Sequence, residues 1–475
     1  SSYARITPEM STSCSHPGFR PLLYVLCFYH AVVQERRKYG KIGWNVRYDF
    51  NDSDFNISRR LLELYLESSY EWSGCDEKVI PWGAVKYLIG DAMYGGRVTD
   101  NYDRRVLQCY LNEYMGDFLF DNSNKFSFSH AGFDYAMPEP GPLDVYKDAV
   151  EELPLLNPPG VFGLHANAEI AYLQNMANAL WSDLIELQPR VTGGGGGVTR
   201  ESYIAAVARD VESKVPKEMD MMAIAKQLGD VRTPCQIVLM QELERWNILV
   251  NFMARKLSDL QKALVGEIGM SDDLDGLGSD LFNGYLPQMF RRYVPATQKA
   301  LGGWMDHFVG RLDLYNNWIE AGEPAVMWLA GLHVPGSYLT ALIQTTCRRK
   351  NWPLDKSTFQ TKVTKFCDKS EVTEFLEDGT YVSGLYLEGA SWDLGNNCLR
   401  TQDPKVLVVE LPLLMVEPKE ANRVKLFNVF PTPVYVTQDR RNPMGVGFVF
   451  EAHLSTLEHA SKWTLMGVSL SLNVR

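Results

Sequence analysis

Residues 468–473 read Val-Ser-Leu-Ser-Leu-Asn and alternate between apolar and polar side chains. A period of two places the apolar side chains on one face of an extended strand. The stretch therefore predicts a β-strand with one buried and one exposed face. It also decides the fold class, because the apolar segments from Pro353 onward share this pattern and those before Pro353 do not.

Four more apolar segments after Pro353 predict strands, and no helical pattern separates them. These segments are residues 381–387, 406–411, 434–437 and 446–454. Gly395-Asn396 is typical of a hairpin turn. Strands that follow each other without crossover helices favour an antiparallel barrel or sandwich. The sequence thus predicts an α+β fold with its β part last.

Apolar side chains before Pro353 recur at helical spacing. In the first 116 residues the pattern predicts four helices: one with Pro21 in its first turn and Gly40 at its end, one capped by Asp52 or Ser53, one from Pro81 to Gly95-Gly96, and one capped by Thr99. Proline and glycine then crowd residues 117–160, which predicts an extended connector with one short helix near 144–152.

Helices return after the connector. A long amphipathic helix is expected at 167–188, with Ile170, Leu173, Ala177, Leu180, Trp181 and Leu184 on one side, and Pro189 ending it. Five consecutive glycines at 193–197 predict a flexible surface loop. Further helices are expected at about 200–213, 218–228, 297–320 and 336–350, and Thr233-Pro234 should open a helix of about 30 residues.

Composition limits the classes of partner and compartment. The net charge of -11 disfavours nucleic acid, and there is no apolar run of about 18 residues to cross a membrane. Eight scattered cysteines without a CxxC pair favour a reducing compartment. The chain begins Ser1-Ser2-Tyr3 without Met or signal peptide, so we expect a piece of a longer protein. The basic run Arg36, Arg37, Lys38, Lys41 is interpreted as a solvated helix end.

Motifs for catalysis are missing from the sequence. Gly40-Lys41 is followed by Ile42, so it does not match a phosphate-binding loop, and neither HExxH nor GxSxG occurs. His165 and Glu169 could form an acid–base pair at i and i+4, but a helix-start contact is the better interpretation. His333 is interpreted as a packed histidine. We therefore predict no catalytic, cofactor-binding or metal-binding residue in this chain.

Several long strings, in order along the chain, closely resemble dynein heavy chains. They are residues 28–38 (FYHAVVQERRK), 43–45 (GWN), 51–54 (NDSD), 93–100 (MYGGRVTD), 103–105 (DRR), 161–168 (VFGLHANA), 187–189 (LQP), 387–390 (LEGA) and 392–393 (WD). The sequence Asn-Asp-Ser-Asp looks axonemal. Residues 327–333 (MWLAGLH) and 440–447 (RRNPMGVG) look closest to the β heavy chain of the two-headed inner arm, I1 or f.

The resemblance implies a layout and a function. Residues 1–116 would be the helical lid of the sixth AAA module, 117–160 a connector, 161–353 the helical part of the dynein C-terminal domain, and 354–475 its antiparallel β-barrel. The chain would be a non-catalytic part of an ATP-driven axonemal motor in cilia or flagella. ATP and Mg would bind to other modules, and microtubules would be contacted only through absent parts. Arg104 and Arg105 would be helix-surface or interface residues.

Expected partners are the other AAA modules of the same heavy chain, dynein complex subunits and axonemal proteins, without nucleic acid or membrane. Two alternatives remain open from the residues. The protein could be a free-standing enzyme or ligand-binding protein with a site at the helix–β junction, where His165, Glu169 and His333 would be tested first. It could also be a docking module for axonemal partners through its β part.

Overall fold

A computed structural model of the chain describes residues 6–73, 80–121, 125–186, 199–424, 426–442 and 445–474. Helices prevail before residue 351 and strands after residue 356, which confirms the mixed α and β composition and its order. The helices of the first part are α1 (Pro8–Ser11), α2 (Phe19–Glu35), α3 (Gly40–Gly43), α4 (Asp52–Ser73), α5 (Trp82–Tyr87) and α6 (Asn101–Tyr114).

The four helices expected in this first part are confirmed as α2, α4, α5 and α6, and α5 continues as a π-helical segment, Leu88–Tyr94. The cap of α6 differs from the expectation. Asp100, not Thr99, accepts hydrogen bonds from the N–H groups of Tyr102 and Asp103, at 2.8 and 3.0 Å. A carboxylate is well suited to this position because it also complements the positive end of the helix dipole.

The helices that follow match most of the remaining expectations. They are α7 (Leu143–Glu151), α8 (Asn167–Glu186), α9 (Arg200–Lys214), α10 (Met221–Leu228), α11 (Pro234–Leu264), α12 (Asp272–Phe282), α13 (Leu301–Ala321), α14 (Pro335–Lys350) and α15 (Ala460–Leu465). Helix α12 was not predicted, because Gly276 and Gly278 interrupt its apolar pattern. Thr233 and Gln236 form the full capping box of α11. The predicted helix end at Pro189 and the loop at 193–197 lie outside the described residues.

Among the described residues, the strands form two larger sheets and two smaller pairs. The strands are β1 (Val326–Trp328), β2 (Ser357–Val363), β3 (Thr380–Ser383), β4 (Tyr386–Glu388), β5 (Ser391–Asp393), β6 (Cys398–Arg400), β7 (Val408–Glu410), β8 (Leu414–Glu420), β9 (Val429–Thr437), β10 (Arg441–Asn442), β11 (Gly445–Val446), β12 (Phe448–Ser455) and β13 (Ser469–Asn473). One sheet has the order β1-β3-β8-β2 and the other β12-β9-β13-β4-β7. The hairpin β5–β6 turns at Gly395-Asn396, as predicted.

A closed antiparallel barrel is not confirmed. Two pairings, β1 with β3 and β9 with β13, are parallel, so the expectation of a purely antiparallel β part is wrong at these positions. Across the described residues, the hydrogen-bonded strand orders are open. The two larger sheets adjoin along β2 and β12, where the His453 N–H donates to the Thr361 hydroxyl at 2.6 Å. Helical segments return between strand partners, which permits parallel pairing.

Strand β13 corrects the prediction made from residues 468–473. Instead of one exposed face, all of Ser469–Asn473 are buried, with Ser469 3% and Ser471 5% exposed. The strand lies in the middle of its sheet, between β9 and β4. Serine is small enough to be packed beneath a covering layer, so its polarity alone did not indicate an exposed face.

Candidate functional site, a buried polar interface

Arg36 follows the end of α2 and is fully buried, with 0% of its surface exposed. Its guanidinium donates to the carbonyls of Gly43, Phe162 and Leu465, at 2.7, 2.6 and 2.7 Å. It also donates to the Tyr110 hydroxyl at 2.7 Å. One side chain thus ties four parts of the protein together, since the planar fork of arginine can serve several acceptors at once.

The basic run is therefore not a solvated helix end as a whole. Arg36 is buried, and Lys41 forms an ion pair of 3.2 Å with Glu388 of β4. Burial lowers the pKa of Lys41. Arg37, by contrast, is exposed as expected and pairs with Asp49, whose side chain is 90% exposed. Helical spacing could not separate these neighbours, because their partners come from distant parts of the sequence.

Arg440 forms the second buried cationic centre and is 1% exposed. Its guanidinium donates to the Asn45 side-chain oxygen at 2.9 Å, to the Glu388 carboxylate at 3.3 Å and to the Gly467 carbonyl at 2.6 Å. Breaking a buried charge pair of this kind leaves the partner charge uncompensated. The contact therefore holds the loop after β9 against both the N-terminal helices and β4.

Asn45 links Arg440 to two buried carboxylates. Its side-chain amide donates to Asp100 at 3.1 Å and to the Tyr435 hydroxyl at 2.7 Å, and its backbone N–H donates to Asp103 at 2.9 Å. Together Arg36, Lys41, Asn45, Asp100, Asp103, Glu388 and Arg440 are called the polar interface below. It joins the N-terminal helices to the β part, and almost all of its buried polar groups have hydrogen-bond partners.

Asp103 is expected to make stability depend on pH. Burial, and then the neighbouring Asp100, raise the pKa of Asp103 to about 7, against hydrogen bonds from Asn45, Val46 and Tyr48 that oppose the shift. Because the pKa of Asp103 is higher in the folded state than in the unfolded state, its contribution to the free energy of unfolding is fully present at low pH. It is lost as pH rises through about 7.

The test compares unfolding by urea between pH 5 and 8. The wild-type free energy of unfolding should fall more steeply with rising pH than that of Asp103→Asn, by up to about 1.4 kcal/mol per pH unit, which corresponds to one proton. Asp210→Asn, an exposed position on α9, should follow the wild type. Equal slopes for wild type and Asp103→Asn would contradict the assignment.

Two further contacts fasten the interface at its edges. Asn167, the first residue of α8, donates from its side chain to the carbonyls of Asp403 and Val406 and accepts from the Lys405 N–H at 2.8 Å. Arg105 of α6 donates to the Pro431 carbonyl of β9 at 3.2 Å. Arg105 is therefore an interface residue, as expected from the resemblance, whereas Arg104 donates to the Val98 carbonyl of its own segment.

The residues proposed for a free-standing active site are not brought together. His165 accepts a hydrogen bond from the Asn167 N–H at 3.2 Å, which is a helix-start contact, and Glu169 is exposed. The cavity beside His165 at the helix–β junction holds about 10 Å³, and neither Glu169 nor His333 lines it. This is space for about one water molecule and not for a substrate.

His333 belongs to a different buried network, centred on Glu242 of α11. The fully buried Glu242 carboxylate accepts from the backbone N–H groups of His333 and Val334, at 2.5 and 3.1 Å, and from the Tyr315 hydroxyl at 3.0 Å. Burial lowers the pKa of His333 to about 4. The histidine is thus packed, as predicted, and its neighbourhood serves to anchor the start of α14.

Helix α8 presents an uncovered apolar surface near the interface. Five side chains, at positions that share one helical face, are 45–65% exposed: Leu173, Met176, Leu180, Trp181 and Leu184. The predicted amphipathic pattern is present, but the apolar face is left open to solvent. Monomeric proteins rarely leave such a stripe open to water.

The described residues contain neither a cluster of metal ligands nor a membrane-spanning helix. No three His, Cys, Asp or Glu residues of the described ranges lie close enough together to hold a metal ion. In the same parts of the protein, the helices are too short or too polar to cross a membrane.

Buried hydrogen bonds thus join the helices of this chain to its sheets, and the apolar stripe of α8 is exposed. Models of known protein families match most of the chain. The profile of the AAA lid domain of dynein heavy chains matches residues 19–168, and that of the C-terminal domain of dynein heavy chains matches residues 174–472. The chain belongs to the dynein heavy chain family.

Individual relatives refine this assignment. The chain is 57% identical to the Dynein-1-alpha heavy chain of the flagellar inner arm I1 complex of Chlamydomonas reinhardtii, over 100% of this chain and 10% of the relative. It is 52% identical to human dynein axonemal heavy chain 10, over 99% of this chain and 10% of that one. The Dynein-1-beta heavy chain of the same I1 complex is 36% identical over 96% of this chain and 10% of the relative. The expected likeness to an inner-arm I1 heavy chain is confirmed, but the alpha heavy chain is more similar than the beta heavy chain that we expected.

The residues of the polar interface were not predicted as a site, yet the sequence carried a signal for them. Arg36, Asn45, Asp100, Asp103, Glu388 and Arg440 all lie within the strings that resemble dynein. Those strings are far apart in sequence and meet at this interface. These residues match no catalytic or metal-binding motif, because their hydrogen bonds are structural.

Proposed function

We propose that this chain is the C-terminal segment of an axonemal dynein heavy chain and that it braces the motor ring without catalysing a reaction. The chain spans about a tenth of the relatives it matches, 10% in each case. The nucleotide sites, their Mg ions and the microtubule contact would therefore lie in the remaining nine-tenths. The named relatives are flagellar or axonemal, which supports a location in the axoneme of a cilium or flagellum.

Within this proposal the predicted layout is kept, with the connector inside the stretch, residues 19–168, that the lid profile matches. Residues 1–116 serve as the lid of the sixth AAA module, 117–160 as the connector, 161–353 as the helical part and 354–475 as the β cap. The β cap would be a closed barrel if the two larger sheets, which adjoin along β2 and β12, also met along other edges in the assembled motor. The polar interface makes the lid and the cap move together, so a displacement of the lid is transmitted to the cap.

The exposed stripe of α8 carries the proposal. Leu180 and Trp181 are 60% and 65% exposed, and they lie in the part of α8, residues 173–184, where every side chain is exposed. Burying such side chains contributes roughly 25 cal/mol for each Å² removed from water. The missing modules of the same heavy chain are the surfaces that would cover the stripe. The contact between the stripe and these modules would differ between the conformations of the motor ring, because a contact can regulate motility only if its free energy changes between them.

The stripe provides the test in the complete motor. The double variant Leu180→Glu/Trp181→Glu should slow ATP-driven microtubule gliding at least about threefold, because it places two charges in a desolvated contact. The same variant should leave the unfolding midpoint of the 475-residue chain nearly unchanged, since both side chains are exposed there. The readouts are gliding velocity, microtubule-stimulated ATPase and urea unfolding.

A matched control and a size measurement complete the experiment. Gln174→Glu adds a charge to an exposed polar position of the same helix and should glide as the wild type does. An antibody to this chain should detect, in an axonemal extract, a polypeptide far larger than 53.8 kDa that sediments with ATPase activity. Unchanged gliding by the double variant would refute the bracing role, and a band near 53.8 kDa would favour a free-standing protein.

A further inference from the structure

Helices α11 and α14 run antiparallel and leave an open groove between them. Cys235, near the start of α11, contacts Thr345 near the end of α14 at 3.8 Å, whereas Glu242 binds the backbone at the start of α14. The groove has a volume of about 530 Å³. Its α14 side extends from Gly336 to Arg348, which corresponds to about 18 Å at 1.5 Å per residue.

The lining of the groove is amphipathic. Val238, Ala341 and Val449 form an apolar floor, and the exposed Ile237 continues it to the surface. Thr340 and Gln344 supply an uncharged polar rim. A groove of this length between two helices accommodates about three turns of a third helix, with apolar side chains at i, i+3 or i+4, and i+7.

One end of the groove carries a cation without an ionic partner among the described residues. The last turn of α14 has three basic side chains, of which Arg349 and Lys350 both bind Asp378. Arg348 lines the groove, is exposed and forms no such pair in the parts of the protein that the structure describes. An occupant with a carboxylate at this end would complement it.

We propose that this groove binds an amphipathic helix from elsewhere in the same heavy chain, with an acidic residue next to Arg348. The source follows from size. Three helical turns bury well below the roughly 1,200 Å² that a stable complex of separate proteins needs. A segment of the same polypeptide has a high effective concentration, so a small contact suffices. The inference rests on the proposed function, because it requires the nine-tenths of a heavy chain that lie outside this segment.

Photo-crosslinking in the complete heavy chain tests the groove. The yield of intramolecular crosslink from Thr340→p-benzoylphenylalanine should be at least about tenfold higher than that from Tyr203→p-benzoylphenylalanine, an exposed control on α9. A tenfold difference in yield corresponds to about 1.4 kcal/mol of contact energy. Mass spectrometry should map the crosslink to an amphipathic helical segment with an Asp or Glu. Adding Arg348→Glu should lower the yield at least about fivefold through like-charge repulsion, and Arg348→Lys should change it less than about twofold.

Several outcomes overturn the inference. A yield equal to that of the Tyr203 control, a crosslink to a separate polypeptide, or no effect of Arg348→Glu would each do so. Gliding velocity is measured on the same preparations. Normal ATP-driven gliding with an empty groove would refute the groove inference and leave the proposed function intact. A heavy chain that cannot be isolated because the native protein is near 53.8 kDa would instead refute the proposed function.

Discussion

Replacement of Arg36 by alanine is expected to lower the free energy of unfolding by about 4 kcal/mol, because buried carbonyls that lose their donor cost about 1–3 kcal/mol each. The carbonyls of Gly43 and Leu465 would be left without the guanidinium. The Phe162 carbonyl suffers less, since the Tyr110 hydroxyl also donates to it at 2.6 Å. Loss of the packed side-chain stem adds to the effect. The measurement is urea unfolding of the 475-residue chain, monitored by circular dichroism.

The next residue supplies the control. Arg37 has the same side chain but pairs with the exposed Asp49, and Arg37→Ala should cost no more than about 0.5 kcal/mol, as surface ion pairs do. Arg36→Lys should fall between the two, because it keeps the charge and loses the planar set of donors. Similar losses for Arg36→Ala and Arg37→Ala would contradict the structural role of the buried guanidinium.

The second large effect is expected at Glu242. Glu242→Ala should lower the free energy of unfolding by about 3 kcal/mol, because it leaves two N–H groups of half-buried residues without their charged acceptor. Those groups belong to His333 and Val334. The Tyr315 hydroxyl is less affected, because it can turn to the Gly331 carbonyl, 3.2 Å away. Besides the urea midpoint, hydrogen exchange should become faster at the start of α14, where the freed N–H groups lie.

Glu244, two residues along the same helix, distinguishes the anchor from a general effect of charge. Its side chain is exposed, so Glu244→Ala should change the free energy of unfolding, measured by urea unfolding, by less than about 0.5 kcal/mol. If exchange at the start of α14 rose equally in both variants, Glu242 would not be the acceptor that holds this helix.

Local patterns predicted most elements of the fold and little of the interface. Helix periods and caps such as Thr233-Pro234 depend on neighbouring residues, so α11 was predicted nearly to its ends. The strand β13 was found, but not the burial of its serines, because burial depends on the strands and helices beside it. In α8 the apolar stripe was predicted correctly, whereas the pattern could not tell that the stripe stays uncovered.

The polar interface depends on contacts between residues far apart in the sequence. Arg36 and Arg37 are indistinguishable by spacing, and only the fold shows that one is buried and the other exposed. Arg36 lies 429 residues from Leu465, and Asn45 lies 395 residues from Arg440. No periodicity or motif links such positions. The family strings indicated where they were, but the role of each residue required the structure.

The separation of Arg36 from Leu465 also has a consequence for biosynthesis. Translation at about 5–20 residues per second takes roughly 20–90 s to cover the 429 residues between them. Throughout that time the nascent helices carry an arginine that lacks one of its acceptors, the Leu465 carbonyl. Their final packing must therefore follow the synthesis of α15, which ends at Leu465, and chaperones that shield unfinished surfaces would act on this segment during that interval.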